Sequence, residues 1–219
     1  MEEPQLHWYA LKIFYNKVFE AELLLDSWDM ETYLAVRKVP LKGLEYLAAK
    51  RRLARLQEDG TTDNQFVREG VTIYKRVPLV NALIFVRLTR QQAQEMDERL
   101  KKEAKVNGFI YKEVQWVKDD ETRKENRSKA PAVIPDRQMA TFRLVTESEV
   151  TGLEFFSDDG ITLFQEGKKV RVKEGPLKGA EGYIKRIRKD RRLLVSISGI
   201  VAVATSFIPP ENLEPVAEE

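Results

Sequence analysis

The chain contains no cysteine and a single histidine, His7. Disulfides, cysteine-based zinc sites and thiol nucleophiles are therefore excluded. One imidazole has no second His or Cys with which to complete a metal site or a catalytic pair. Neither sign of charge is in excess, since 37 Lys and Arg stand against 35 Asp and Glu, a net charge of +2. A protein that wraps nucleic acid carries a larger positive surplus, so any contact with DNA or RNA is expected to be a local patch. No apolar run approaches the roughly 18–20 residues of a membrane span, and no signal peptide is visible. A soluble cytoplasmic protein without membrane contact is the expectation. With 219 residues, 42% hydrophobic and 33% charged, the chain has a folded protein's composition and room for one large or two smaller cores.

What is present divides near residue 150. Residues 6–14 (LHWYALKIF) read as an aromatic-rich strand, and Asn16 as the N-cap of a helix over 17–28. Residues 32–39 read as a second strand. Residues 41–74 break the pattern as an insertion whose segment 43–58 is helical by composition, followed by a loop at 59–64. Residues 80–88 (VNALIFVRL) are nearly all apolar, as in a central strand covered on both faces. Thr89 caps a helix to about residue 104, and 109–117 is strand-like. The charge-rich 118–129 is expected to be a mobile loop. Pro135 opens a helix over 136–147 with Met139, Phe142 and Val145 on its packing side. This order predicts an α+β sandwich over residues 1–150, its helices set against a mostly antiparallel sheet.

Residues 151–163 read as a linker, and 164–219 as short strands punctuated by turns. Residues 169–173 alternate, with Val170 and Val172 inward, and Gly175-Pro176-Leu177-Lys178-Gly179 is a turn. Strands at 183–188, 193–198, 200–207 and 213–216 follow, with a tight turn at 189–191. Five short strands predict a small closed β-barrel.

Several segments, at both ends of the chain, resemble one family. FQEGKKVRVKEGPLKGAEGYIKRI, with Val170, Val172, Gly175, Pro176 and Gly182, resembles the KOW motif at the start of the C-terminal barrel of NusG-like transcription elongation factors. The glycines suit turns of positive φ and strand curvature that a side chain would block. RRLLVSISGIVAVATSFIPPENLEPV resembles the rest of that barrel, so the match covers nearly all of 164–219. WYALKIFYNKVFEAELLL resembles the first strand and helix of the family's N-terminal (NGN) domain. PLVNALIFVRL and PAVIPDRQMATF are similar to its later parts. The combination is most similar to the UpxY group, antiterminators of surface-polysaccharide operons. The chain differs where many relatives carry an aromatic-Pro-Gly-Tyr run, having Val80-Asn81-Ala82-Leu83 instead.

The resemblance implies an NGN-like α/β sandwich followed by a five-stranded SH3-like barrel. It also implies a factor that binds the clamp region of RNA polymerase and promotes processive transcription. Trp8, Lys12, Phe14, Leu83 and Phe85 lie on the strands that form the family's polymerase-binding pocket; core packing is the other reading of these residues. Lys50, Arg51, Arg52 and Arg55 form a basic stripe, either for non-template DNA or nascent RNA or as a solvated helix face. Lys185, Arg186, Arg188, Lys189, Arg191 and Arg192 crowd one expected hairpin of the barrel, either to meet RNA or an acidic protein surface or as a wetted tip; the barrel's own implied partner is a ribosomal protein or another transcription factor. No catalytic, cofactor or metal site is expected. Asp119-Asp120 and Asp158-Asp159 lack partners, and the stretch 160–168 has six residues between its glycines where a phosphate-binding loop has four.

Overall fold

The computed structural model describes residues 5–118, 125–148, 150–157, 169–187, 190–197 and 199–216. The first half runs β1 (His7–Ile13), α1 (Val18–Ser27), β2 (Thr32–Tyr33), β3 (Val36–Pro40), α2 (Gly43–Glu58), β4 (Phe66–Glu69), β5 (Thr72–Pro78), β6 (Leu83–Leu88) and α3 (Arg90–Lys101). It continues with β7 (Gly108–Ile110), β8 (Lys112–Lys118), β9 (Glu125–Pro131) and α4 (Asp136–Glu147). The remainder is β10 (Glu154–Ser157), β11 (Lys169–Val172), β12 (Glu181–Ile187), β13 (Asp190–Ile197), β14 (Val201–Phe207) and β15 (Leu213–Pro215). Four α-helices and several antiparallel sheets among the described residues make a mixed α+β protein.

The central sheet has the order β2-β6-β1-β7. Alternation along β1 sends Tyr9, Leu11 and Ile13 towards α1 and α3, where Phe19, Leu25, Met96 and Leu100 complete one core. Trp8 and Ala10 point the other way and pack with Met139, Phe142 and Val145 of α4. Strand β6 is buried on both faces, which explains its unbroken apolar run. Thr89 caps α3 through a full capping box with Gln92. Asn16 does not cap α1. It adopts φ 56° beside Tyr15 at φ 59°, making the turn after β1, and Lys17 takes the cap position.

The insertion is more ordered than its sequence suggests. β3, β5 and β4 form their own three-stranded sheet, against which α2 buries Ala49 over Leu41 and Ile73. The expected second strand thus splits into β2 and β3, in different sheets. Arg76 of β5 forks onto Glu22 of α1 at 2.7 and 2.8 Å, fastening the insertion to the main body. The loop expected at 118–129 is partly strand. β8 and β9 pair from Lys112↔Pro131 to Lys118↔Glu125 as a two-stranded antiparallel ribbon. Residues 119–124 lie outside the described part.

The C-terminal half departs from the expected closed five-stranded barrel. Its sheet has six strands in the open order β10-β14-β13-β12-β11-β15. The extra strand comes from the expected linker: Glu154, Phe155, Phe156 and Ser157 pair with Ala204, Val203, Ala202 and Val201. Phe156 packs on Ala202 and Ala204, while Phe155 joins the larger core on the opposite face. Two adjacent aromatics flanked by loop residues thus form an edge strand. The expected turn at 189–191 falls partly, and the stretch 160–168 wholly, outside the described residues. α4 packs on β1 and on β13, so one apolar cluster runs from Trp8 and Phe85 through Phe142 to Val195 and Val203.

Candidate docking site

Residues Trp8, Lys12, Leu83 and Phe85 share the sheet face that looks towards α4, and antiparallel register sets Lys12 opposite both Leu83 and Phe109. That face has a covered part and an open part. Trp8, Leu83 and Phe85 are buried, with the Phe85 ring 5.3 Å from Phe142 and 6.3 Å from Tyr33. The Arg87 guanidinium lies 6.0 Å over the Trp8 ring. Their immediate role is packing beneath α4.

The open part begins where α4 ends its cover. Lys12 is half-buried, and Phe14 and Phe109 are each 38% exposed with ring centroids 5.8 Å apart. Tyr111 continues the row 5.6 Å beyond Phe109, and Tyr15 lies 6.2 Å from Phe14. Exposed aromatic side chains in contact are a surface at which a partner can gain burial. Phe109, Tyr111 and Tyr15 were not among the sequence candidates. Phe109 lies on the strand that register sets beside Lys12, Tyr111 just past the end of that strand, and Tyr15 just past β1.

Two features fix the covered part. Tyr33 hydroxyl and Thr146 hydroxyl are 2.6 Å apart, and burial pushes the phenol up to about 12, partly offset by the Thr146 bond. The Ile13 amide donates to Ala82 carbonyl at 2.8 Å. Ala82 holds φ 61°, a left-handed conformation in which glycine is at ease and alanine is not. That is the segment where the chain carries Val80-Asn81-Ala82-Leu83.

On α4, Arg137 reaches across to Glu181 of β12 at 2.5 Å. Arg171 of β11 bonds the same carboxylate oxygen at 2.7 and 2.9 Å, and Lys169 stands 3.6 Å from the other. Burial opposes the charge on Glu181, but the bonds from Arg137 and Arg171 outweigh it and hold the carboxyl below its ordinary value.

Of the basic stripe, Arg52 is committed. It pairs with the buried Asp63 at 2.6 Å and lies 5.5 Å over Phe66. Lys50, Arg51 and Arg55 are exposed. In the C-terminal half, Val170 and Val172 point into the core and Gly175 takes φ 85° at the turn before Pro176. Gly182 answers a different need, because a Cβ there would collide with the Leu194 carbonyl on the adjacent strand.

Among the described residues no cluster of His, Asp or Glu is arranged to hold a metal ion, and no helix is long and apolar enough to cross a membrane. Comparison with protein-family models and with curated proteins finds no match to this chain.

Proposed function

We propose that the protein is a NusG-like transcription elongation factor of the antiterminator kind, which binds the clamp region of RNA polymerase and promotes processive transcription of particular operons. By resemblance these are surface-polysaccharide operons. In this reading residues 1–150 are the NGN-like body and the C-terminal half corresponds to the family's SH3-like KOW barrel, with β10 as an added edge.

The observation that carries the reading is the shared sheet face. Trp8, Lys12, Leu83 and Phe85 lie on it, and Phe14 extends its open end in contact with Phe109. Trp8, Leu83 and Phe85 shape the platform, while Lys12 and Phe14 offer a cation and an aromatic ring to the polymerase. A factor that binds the processive polymerase more tightly than the paused one shifts the population by that difference in affinity. The C-terminal half, held by the same chain, brings a ribosomal protein or a second transcription factor to the complex at high effective concentration. By resemblance, non-template DNA or nascent RNA is the further partner of this reading.

The test uses the full chain. Wild-type protein is expected to co-purify with core RNA polymerase, and Lys12→Glu with Phe14→Ser to lose it at an unchanged melting temperature. Binding that survives both changes removes the docking face from the reading. In cells, deletion should cost read-through in one or a few long operons; a uniform change in termination points to a general factor instead.

A further inference from the structure

We propose that the outer face of α2 is a docking ridge for an acidic amphipathic helix of a partner protein, an interaction beyond the polymerase contact. The 16 residues of α2 span about 24 Å, or two heptads. Its inner side is spent on its own module, with Tyr46, Ala49 and Leu53 over Leu41, Phe66 and Ile73. The opposite side carries Leu44, Leu47, Ala48, Arg51, Ala54 and Arg55, at the i, i+3, i+4, i+7, i+10, i+11 spacing that makes one continuous stripe.

Leu44 is 85% exposed and Leu47 48%, and neither belongs to any buried cluster. A helix that only faced water would carry polar residues at these positions. Leucines at the N-terminal end, with Ala48 beside them and Ala54 between Arg51 and Arg55, form a surface another helix backbone can approach closely.

Charge selects the occupant. With Arg52 committed to Asp63, the exposed side still presents Lys50, Arg51 and Arg55, against Glu45 near one end and Glu58 at the other. Two copies paired along this stripe about a two-fold axis near its middle would set Arg51 against Arg51, so self-association is disfavoured. A nucleic acid would satisfy the cations but leave the leucines against phosphate or water. A helix with a leucine seam and glutamates flanking it satisfies both.

The probe is a fluorescein-labelled synthetic peptide of three heptads with Leu at a and d and Glu at e and g, titrated against the full chain by fluorescence anisotropy. Saturable binding is expected. Leu44→Glu with Leu47→Glu should weaken it by about tenfold or more, the equivalent of losing apolar burial at two positions. Arg51→Glu with Arg55→Glu should abolish it and instead admit the same peptide with Lys at e and g. Because these side chains are exposed, melting temperatures should not move; if Leu47→Glu unfolds the module, Leu44→Glu alone serves. The proposal is overturned by an absence of saturable binding, or by binding indifferent to the four substitutions. It is equally overturned by a dimer in sedimentation equilibrium that Leu44→Glu dissolves. Binding of a mixed-sequence DNA oligonucleotide that needs Arg51 and Arg55 but not the leucines would assign the face to nucleic acid.

Discussion

The contact between Arg137 and Glu181 is the point at which α4 is tied to the C-terminal sheet by charge, and its strength can be worked out from exposure. The Glu181 side chain is 8% exposed, Arg137 54%. Removing one member of a fully buried pair costs about 3–5 kcal/mol, whereas exposed pairs couple by about 0.2–1 kcal/mol. Here water can replace what the arginine loses but cannot reach the carboxylate as freely. The Arg137–Glu181 coupling should therefore be about 1 kcal/mol, at the top of the exposed range. The assay is a double-mutant cycle with Arg137→Gln, Glu181→Gln and the double variant, read by urea denaturation at neutral pH. The sign with pH follows from the lowered carboxyl. The folded state releases this proton more readily than the unfolded chain, so the stabilisation is whole above the ordinary carboxylate range and is lost as pH falls through the folded value. Wild-type protein should lose stability on acidification more steeply than Glu181→Gln. A coupling under about 0.3 kcal/mol, the limit of ordinary additivity, with parallel acid profiles, would refute the reasoning.

Phe85→Ala should lower stability by about 3–5 kcal/mol, visible as a large drop in melting temperature, because the ring is buried against Phe142 and Tyr33. Tyr33→Phe should cost about 1 kcal/mol at neutral pH through the lost Thr146 bond. Since folding raises the Tyr33 phenol from 10 to about 12, wild-type stability should fall as pH rises through that window, and the variant should lack this share of the fall. Ala82→Gly should stabilise the protein by up to about 1 kcal/mol by relieving a left-handed alanine, checked by denaturant midpoint. A fragment covering residues 150–219 should be more stable than one covering 164–219, because only the former keeps β10 on β14; equal circular dichroism melts would contradict this.

Much of the first half was legible because its signals are local. The capping box at Thr89, the helical composition of 43–58 and the doubly apolar run of β6 each follow from a few adjacent residues. Asn16 was misread for a local reason too, since Asn suits both an N-cap and a left-handed turn, and the chain uses the second. Strand β8 falls largely within the expected strand 109–117, but its partner β9 and the edge strand β10 escaped because strand pairing is decided by a distant partner.

The candidate face divides the same way. Sequence alone determined that Trp8, Lys12, Leu83 and Phe85 sit on strands, that cysteine and paired-histidine chemistry is absent, and that 43–58 is helical. Only the tertiary structure decided which side of the sheet each takes, that α4 covers Trp8 and Phe85 but leaves Phe14 and Phe109 open, and that Arg52 is spent on Asp63 while Arg51 and Arg55 are not. Periodicity tells a residue's phase along its own element. Exposure depends on what a remote segment lays over it, and no local pattern encodes that.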